Sequence, residues 1–195
     1  MEKIVNLALL ALASIMISGG QVFSQVTAKL ESVQALEIEK FIGKWYEIGK
    51  YPNRFQKQCV GNTTATYSLK SNGRIEVLNE CLKQDGTRES ARGEAKITDK
   101  LNRSKLKVRF APGALSFLPF VWADYWVVGL GPNYEYALIG EPKRRYFWIL
   151  SRAPEMSDGQ YRDLLNRAQA LGFDPSRVER TPQSTSSTMT KAIED

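Results

Sequence analysis

FIGKWYEIGKYP, residues 41–52, is the first of a series of strand-like runs in this 195-residue chain. Its core, Lys44 to Tyr51, is rich in aromatic and β-branched residues, and Pro52-Asn53 closes it. A bulky indole, Trp45, follows two residues after Gly43, the one residue type without a side chain. From there outward the same pattern recurs: NTTATYSLK (62–70), RIEVLNECL (74–82), TRESARGEAKIT (87–98), SKLKVRFA (104–111), DYWVVGLG (124–131), EYALIGEP (135–142) and RYFWILSR (145–152). Turn chemistry separates the runs, with Ser71-Asn72-Gly73 and Gln84-Asp85-Gly86 reading as hairpin turns. Eight short strands at this spacing predict an antiparallel sandwich or a closed barrel.

The turn at residues 71–73 sets a register. If Lys70 opposes Arg74, directly facing residues have numbers that sum to a constant, so Tyr67 faces Val77 and Ala65 faces Asn79. Ala65, Tyr67, Leu69, Ile75, Val77 and Asn79 then share one surface, apolar apart from a phenol and an amide. Arg74, Glu76 and Leu78 lie on the other. After the strands, Ser157 reads as an N-cap, and Tyr161, Leu164, Leu165, Ala168 and Leu171 recur at helical spacing until Gly172. DPSRVERT (174–181) offers a last short strand, and residues before Gly43 offer one helical turn. Eight strands in order and a single amphipathic helix favour an all-β, eight-stranded antiparallel up-and-down barrel with one C-terminal α-helix packed outside, wide enough for one small ligand.

Both ends of the chain read differently from its middle. Met1-Glu2-Lys3 followed by the apolar run IVNLALLALASIMIS (4–18) has the length of a secretory signal, with cleavage expected after Ser24; an uncleaved anchor helix is the alternative. Residues 25–182 form the expected domain, and the Ser/Thr-rich stretch 183–195 is expected to be a disordered tail. The chain has no cysteine placed for acylation, so an exported, soluble protein is expected, periplasmic or secreted. Its two cysteines, Cys59 and Cys81, are expected to pair in an oxidising compartment. The hairpin register sets Cys81 opposite Thr63, so pairing requires a bulge or bend near Val60-Gly61; two free thiols are the alternative. No histidine occurs, which removes the usual neutral-pH base and the commonest metal ligand; no metal and no cofactor are expected. The net charge of +6 suits a solvated basic surface or contact with an anionic membrane, and nucleic acid is not expected as a partner. Lys143-Arg144-Arg145 reads as a solvated turn, with lipid phosphates as the alternative.

Three motifs carry a resemblance. Gly43-Lys44-Trp45-Tyr46, the segment ADYWVVGLGPNYEYALIGEP (123–142) and YFWILSRAP (146–154) resemble, in order and spacing, the three signatures of the lipocalins. RFQ (54–56), ATYSLKSNGRIEVLNE (65–80) and FWILSRAP (147–154) resemble the subgroup holding bacterial outer-membrane lipocalin, plant temperature-induced lipocalin and apolipoprotein D. The resemblance implies a barrel closed at one end by Trp45, with Arg152 lying across its indole and Gly43 leaving room for that ring. It implies Asp124 as a cap in the second signature, beside Tyr125, with a lone acid as the alternative. It implies a non-enzymatic carrier of a fatty acid or lysophospholipid, serving lipid transport, storage or membrane maintenance, with Tyr67, Asn79, Tyr125 and Trp148 lining the ligand and Phe110 a further candidate. The apolar loop PGALSFLPFVW (112–122), with Phe117, Leu118 and Phe120, is expected to be a lid, a membrane contact or a partner surface that allows a homodimer. A lipid-modifying enzyme using a free barrel cysteine is the competing reading, and pairing of Cys59 with Cys81 would remove it.

Overall fold

Gly43 has φ +97°, a conformation that only a residue without Cβ adopts readily. In the computed structural model, which describes residues 28–111, 113–115 and 117–184, this glycine separates a one-turn helix, α1 (Ile38–Phe41), from the first strand, β1 (Gly43–Lys50). A Cβ at Gly43 would lie 3.3 Å from the Arg152 guanidinium. The room is therefore kept for the arginine, which lies over the Trp45 ring, rather than for the indole itself.

Seven more strands follow: β2 (Cys59–Leu69), β3 (Ile75–Lys83), β4 (Arg88–Ile97), β5 (Lys105–Arg109), β6 (Ala123–Leu130), β7 (Tyr136–Gly140) and β8 (Phe147–Ser151). Each pairs antiparallel with the next, and β1 pairs with both β8 and β2, which closes an eight-stranded barrel. The helix α2 (Asp158–Ala170) packs outside, and the two-residue β9 (Glu179–Arg180) adds to the outer edge of β1 at Gly49 and Lys50. Tyr67 faces Val77, Ala65 faces Asn79 and Leu69 faces Ile75, the register that the 71–73 turn predicts.

Alternation along the strands makes two cores. Trp45, Tyr67, Ile75, Val77, Ala95, Leu106, Val127, Ile139 and Leu150 point inward, and α1 adds Ile38 and Phe41 beneath them. On the outer face Ile48, Leu138, Phe147 and Ile149 meet Tyr161, Leu164 and Ala168 of α2, with Phe173 behind. Ser157 caps α2 by accepting from the Gln160 amide at 3.2 Å, and Gly172, at φ +82°, ends it. At the closed end the arm before α1 is stitched down by Val33 N–H donating to Val127 O and Leu36 N–H to Asn102 O. The connections 51–58, 84–87, 110–122 and 141–146 gather at the opposite end, which is the mouth.

Several expectations are corrected. Asp124 makes an ion pair rather than a capping hydrogen bond among the described residues: it is an outward residue of β6 whose carboxylate lies 3.1 Å from Lys107 Nζ, with Tyr125 beside it in the inward position. Lys143–Arg145 is not merely a solvated turn, since Arg144 donates to Leu171 O at 2.8 Å and Ala28 O at 2.6 Å, satisfying the end of α2 and holding the N-terminal arm. Gln183 and Ser184, placed in the tail by composition, are tied to β1 and β2: Gln183 Nε2 donates to Glu47 O and Thr63 O, and Ser184 bonds Asn62. The expected signal, residues 1–24, and the rest of the tail, 185–195, lie outside the described residues. In the 110–122 connection, Trp122 is only 7% exposed and folds against the outer face of the barrel, under Arg74, Lys96 and Arg109 at 5.7, 4.2 and 5.1 Å from its ring. Phe117 and Phe120 stand in solvent, 77% and 80% exposed.

Cys59 and Cys81 form a disulfide, with Cα atoms 5.6 Å apart. The gap left by the ideal register closes through two shifts, one between Cys59 and Gly61 and a second between Gly61 and Thr64, with Asn62 at φ +50°. No free cysteine is present among the described residues, so the reading of a thiol-dependent lipid enzyme loses its nucleophile.

Candidate functional site

The lumen is built from the bottom by Trp45. Its Nε1 donates to Phe41 O at 2.8 Å, and the Arg152 guanidinium lies 3.8 Å from its ring centroid. Arg152 also donates to the carbonyls of Lys40, Phe41, Ile42 and Lys44, so one side chain satisfies the end of α1 and caps the barrel's base.

Above the plug, aromatic rings climb toward the mouth. Trp45 contacts Phe41, Phe41 contacts Tyr67, and Tyr67 meets Tyr125 with ring centroids 6.3 Å apart. Tyr125 then meets Trp148 at 6.4 Å, Trp148 stacks on Tyr146 at 6.0 Å, and Tyr146 touches Phe55. The strands carrying Tyr67 and Tyr125 are not neighbours in the sheet, so the 2.5 Å hydrogen bond between their phenols crosses the lumen and forms a floor. Burial pushes the Tyr67 phenol up to about 12, and burial together with the facing Tyr67 raises Tyr125 well above the usual phenol range. Both phenols are thus neutral at physiological pH, and the pair can offer one O–H outward.

Of the lining residues read from the sequence, Tyr67, Tyr125 and Trp148 lie in this column. Asn79 lies beside Ala65 on the adjacent strand, on the same wall as Tyr67, and its Oδ1 is buried with no hydrogen-bond partner among the described residues. Phe110 sits at the mouth, half exposed, with its ring over Gly93; a Cβ there would come within 2.8 Å of that ring.

Three polar residues of the lumen escaped the sequence reading. Glu47 is 3% exposed and shares the inward face of β1 with Trp45. One carboxylate oxygen accepts from Thr181 Oγ1 at 2.7 Å and the other from Gln56 Nε2 at 2.5 Å. Gln56 accepts in turn from Trp148 Nε1 at 3.0 Å and Asn53 Nδ2 at 2.8 Å. The mouth loop, the column and the C-terminal segment therefore meet on one buried acid. Lys50 is the third, its Nζ 3.9 Å from Glu47. Glu47 was legible in principle from its spacing to Trp45, whereas Lys50 was not, because a register shift between Glu47 and Gly49 reverses its facing.

Burial raises the Glu47 pKa above the free value of 4.5, against the pull of Thr181, Gln56 and Lys50. The folded protein then holds this proton more tightly than the unfolded chain does. Glu47 accordingly contributes stability at low pH that is lost as pH climbs past 4.5 and through the raised folded value. We expect the stability of the wild type relative to Glu47→Gln, measured by urea unfolding from about pH 4 to about pH 8, to fall with rising pH. Parallel curves for the two proteins would refute the assignment.

Comparison with known proteins agrees with this geometry. The family model for the lipocalin-like domain matches residues 36–183. Temperature-induced lipocalin-1 of Arabidopsis thaliana is 43% identical over 158 residues, covering 80% of this chain and 84% of that protein. Outer membrane lipoprotein Blc of Escherichia coli is 36% identical over 146 residues, covering 74% and 78%. Apolipoprotein D of Mus musculus is 35% identical over 156 residues, covering 75% and 77%. Among solved structures, insecticyanin of the tobacco hornworm Manduca sexta superposes with a TM-score of 0.63 at 21% identity, over 80% of this chain and 85% of that one, a likeness of fold.

Proposed function

The chain belongs to the lipocalin family, whose members bind small hydrophobic ligands, and from that premise we propose that its lumen carries a fatty acid or a lysophospholipid. The observation that carries the reading is Asn79 Oδ1, a buried acceptor without a partner on a wall otherwise made of Ala65, Tyr67 and Val77. An orphaned buried acceptor costs about 1–3 kcal/mol unless something donates to it, and a ligand hydroxyl or a water accompanying the ligand does so. The aromatic column supplies the apolar wall for a chain. The protein acts as a carrier rather than an enzyme, and is exported to the periplasm or beyond the cell. Relatives named as temperature-induced and as an outer membrane lipoprotein support a role in membrane-lipid maintenance under stress.

A second surface takes part. Phe117 and Phe120 are exposed on the 110–122 connection, and its first residues, Phe110 and Ala111, share a surface groove with Lys70 and Arg92. Apolar rings beside cations suit peripheral contact with an anionic membrane, where the lipid is collected or delivered.

Native mass spectrometry of protein purified without detergent and titrated with hexadecanoic acid and a lysophospholipid tests the reading. One lipid per chain is expected, and a protein that stays lipid-free throughout sinks the carrier function. In the same preparation the protein should sediment with phosphatidylglycerol vesicles and not with phosphatidylcholine vesicles. Equal recovery from both removes the membrane contact, and a dimer in the native spectrum reassigns the apolar loop to a second copy.

A further inference from the structure

Between Glu47 and Gly49 the pairing of β1 with β8 shifts by one residue. Ile48 and Gly49 both turn outward, toward α2: Ile48 joins the outer core, and a Cβ on Gly49 would meet Tyr161 Oη and Val178 at 3.1 Å. Lys50 is thereby returned to the lumen face, where it pairs across the ladder with the inward-facing Trp148. Without the bulge, strict alternation from Trp45 would point Lys50 at solvent.

The result is an ammonium group with only 13% of its side chain exposed and with no hydrogen bond among the described residues. Glu47, the nearest acid, is 3.9 Å away, beyond hydrogen-bonding distance, and both of its oxygens are already served by Thr181 and Gln56. Its three N–H donors are committed to no acceptor among the described residues, and an oxyanion arriving in the lumen would meet them in a largely covered setting. The other cations near the lumen are engaged. Arg152 is spent on four carbonyls below Trp45, Lys83 at the rim lies 3.5 Å from Asp85, and Arg74, Lys96 and Arg109 cover Trp122 on the opposite face of the sheet.

We propose that Lys50 is the receptor for the headgroup of the lumen ligand and selects an oxyanion, carboxylate or phosphate, over a neutral head on the same chain. The proposal rests on the carrier reading above. The head binds at the upper end of β1, and the chain runs down past Trp148 and Tyr125 toward the phenol floor. Glu47 stays on Thr181 and Gln56, acting as a weak place-holder for Lys50 that the ligand replaces.

The test compares three ligands with one hydrocarbon chain: hexadecanoic acid, monohexadecyl phosphate and hexadecan-1-ol, each displacing a neutral fluorescent probe from the full protein. The wild type should bind at least one of the two anions about tenfold or more tightly than the alcohol, the worth of one charge-assisted hydrogen bond. The anion with the larger ratio names the headgroup. In Lys50→Met that ratio should collapse toward unity. The double variant Glu47→Gln/Lys50→Met, which leaves no unpaired buried charge, should show the same collapse and guards against a folding defect of the single one. An unchanged ratio in both variants, or a wild type without preference, overturns the proposal and leaves the carrier reading standing. Failure of all three ligands to displace the probe overturns both.

Discussion

Replacement of Trp45 by alanine should destabilise the protein by about 3–5 kcal/mol, and replacement of Arg152 by alanine by about 2–4 kcal/mol. Trp45 is fully buried, packs on Phe41 and donates from its side chain's one polar atom, Nε1, to Phe41 O. Truncation leaves a cavity at the narrow end of a closed sheet, where eight strands converge and cannot collapse inward without breaking register. Removing Arg152 costs less apolar area but takes a donor from four carbonyls at once, those of Lys40, Phe41, Ile42 and Lys44, of which Phe41 O keeps the Trp45 indole, and strips the cation from that indole. Guanidinium unfolding followed by circular dichroism reads both. Because the two residues act on one plug, the double variant should lose less than the sum of the single losses, the coupling being the part that belongs to the cation over the ring. Strict additivity would mean that Arg152 works only through the carbonyls. Lys at position 152 should recover little, since a single ammonium cannot span the four acceptors that a planar guanidinium reaches.

The plug shows how much of this molecule is written locally. Strand positions, the hairpin facing of Tyr67 and Asn79, the Ser157 cap and the Gly172 stop follow from periodicity and turn chemistry, which depend on neighbours a few residues away. The details that escaped depend on distant segments. The β1 bulge that turns Lys50 inward is secured by Val178 and Tyr161 against Gly49, more than 100 residues downstream. The shifts around Asn62 are secured by Pro182 and Ser184: the Asn62 amide donates to Pro182 O, and a Cβ on Gly61 would sit 2.8 Å from that same oxygen. Arg144 looked like part of a solvated basic run because its acceptors, Leu171 O and Ala28 O, lie on segments far from it in the chain. Asp124 is the opposite case: its outward position follows from simple alternation with Tyr125, and its partner, Lys107, sits across the ladder on the neighbouring strand. Irregularities that aim charged side chains are the least visible in sequence, and here they shape the upper lumen.

The second large effect is expected at the mouth. Opening the Cys59–Cys81 bridge, by Cys59→Ser together with Cys81→Ser, should lower stability by about 3 kcal/mol, the loop-closure value for cysteines 22 residues apart. For a chain of this length that corresponds to a fall in Tm of roughly 10 °C. The segment enclosed by the bridge is the β2–β3 hairpin, whose register is already fixed in the folded state by eight ladder pairs from Cys59 to Leu69. The native hairpin therefore has little need of the cross-link, and the bridge acts chiefly by restricting the unfolded chain. Two consequences separate this from a bridge that holds the mouth in shape. The near-ultraviolet circular dichroism of the double variant at 25 °C should match that of the wild type, because Tyr67, Tyr125 and Trp148 keep their contacts. The denaturant slope m should rise, because an unfolded chain without the cross-link exposes more surface. A changed near-ultraviolet spectrum with an unchanged slope would instead make the bridge a strut for the two register shifts around Gly61, with the left-handed Asn62 then held by the disulfide rather than by Pro182 and Ser184.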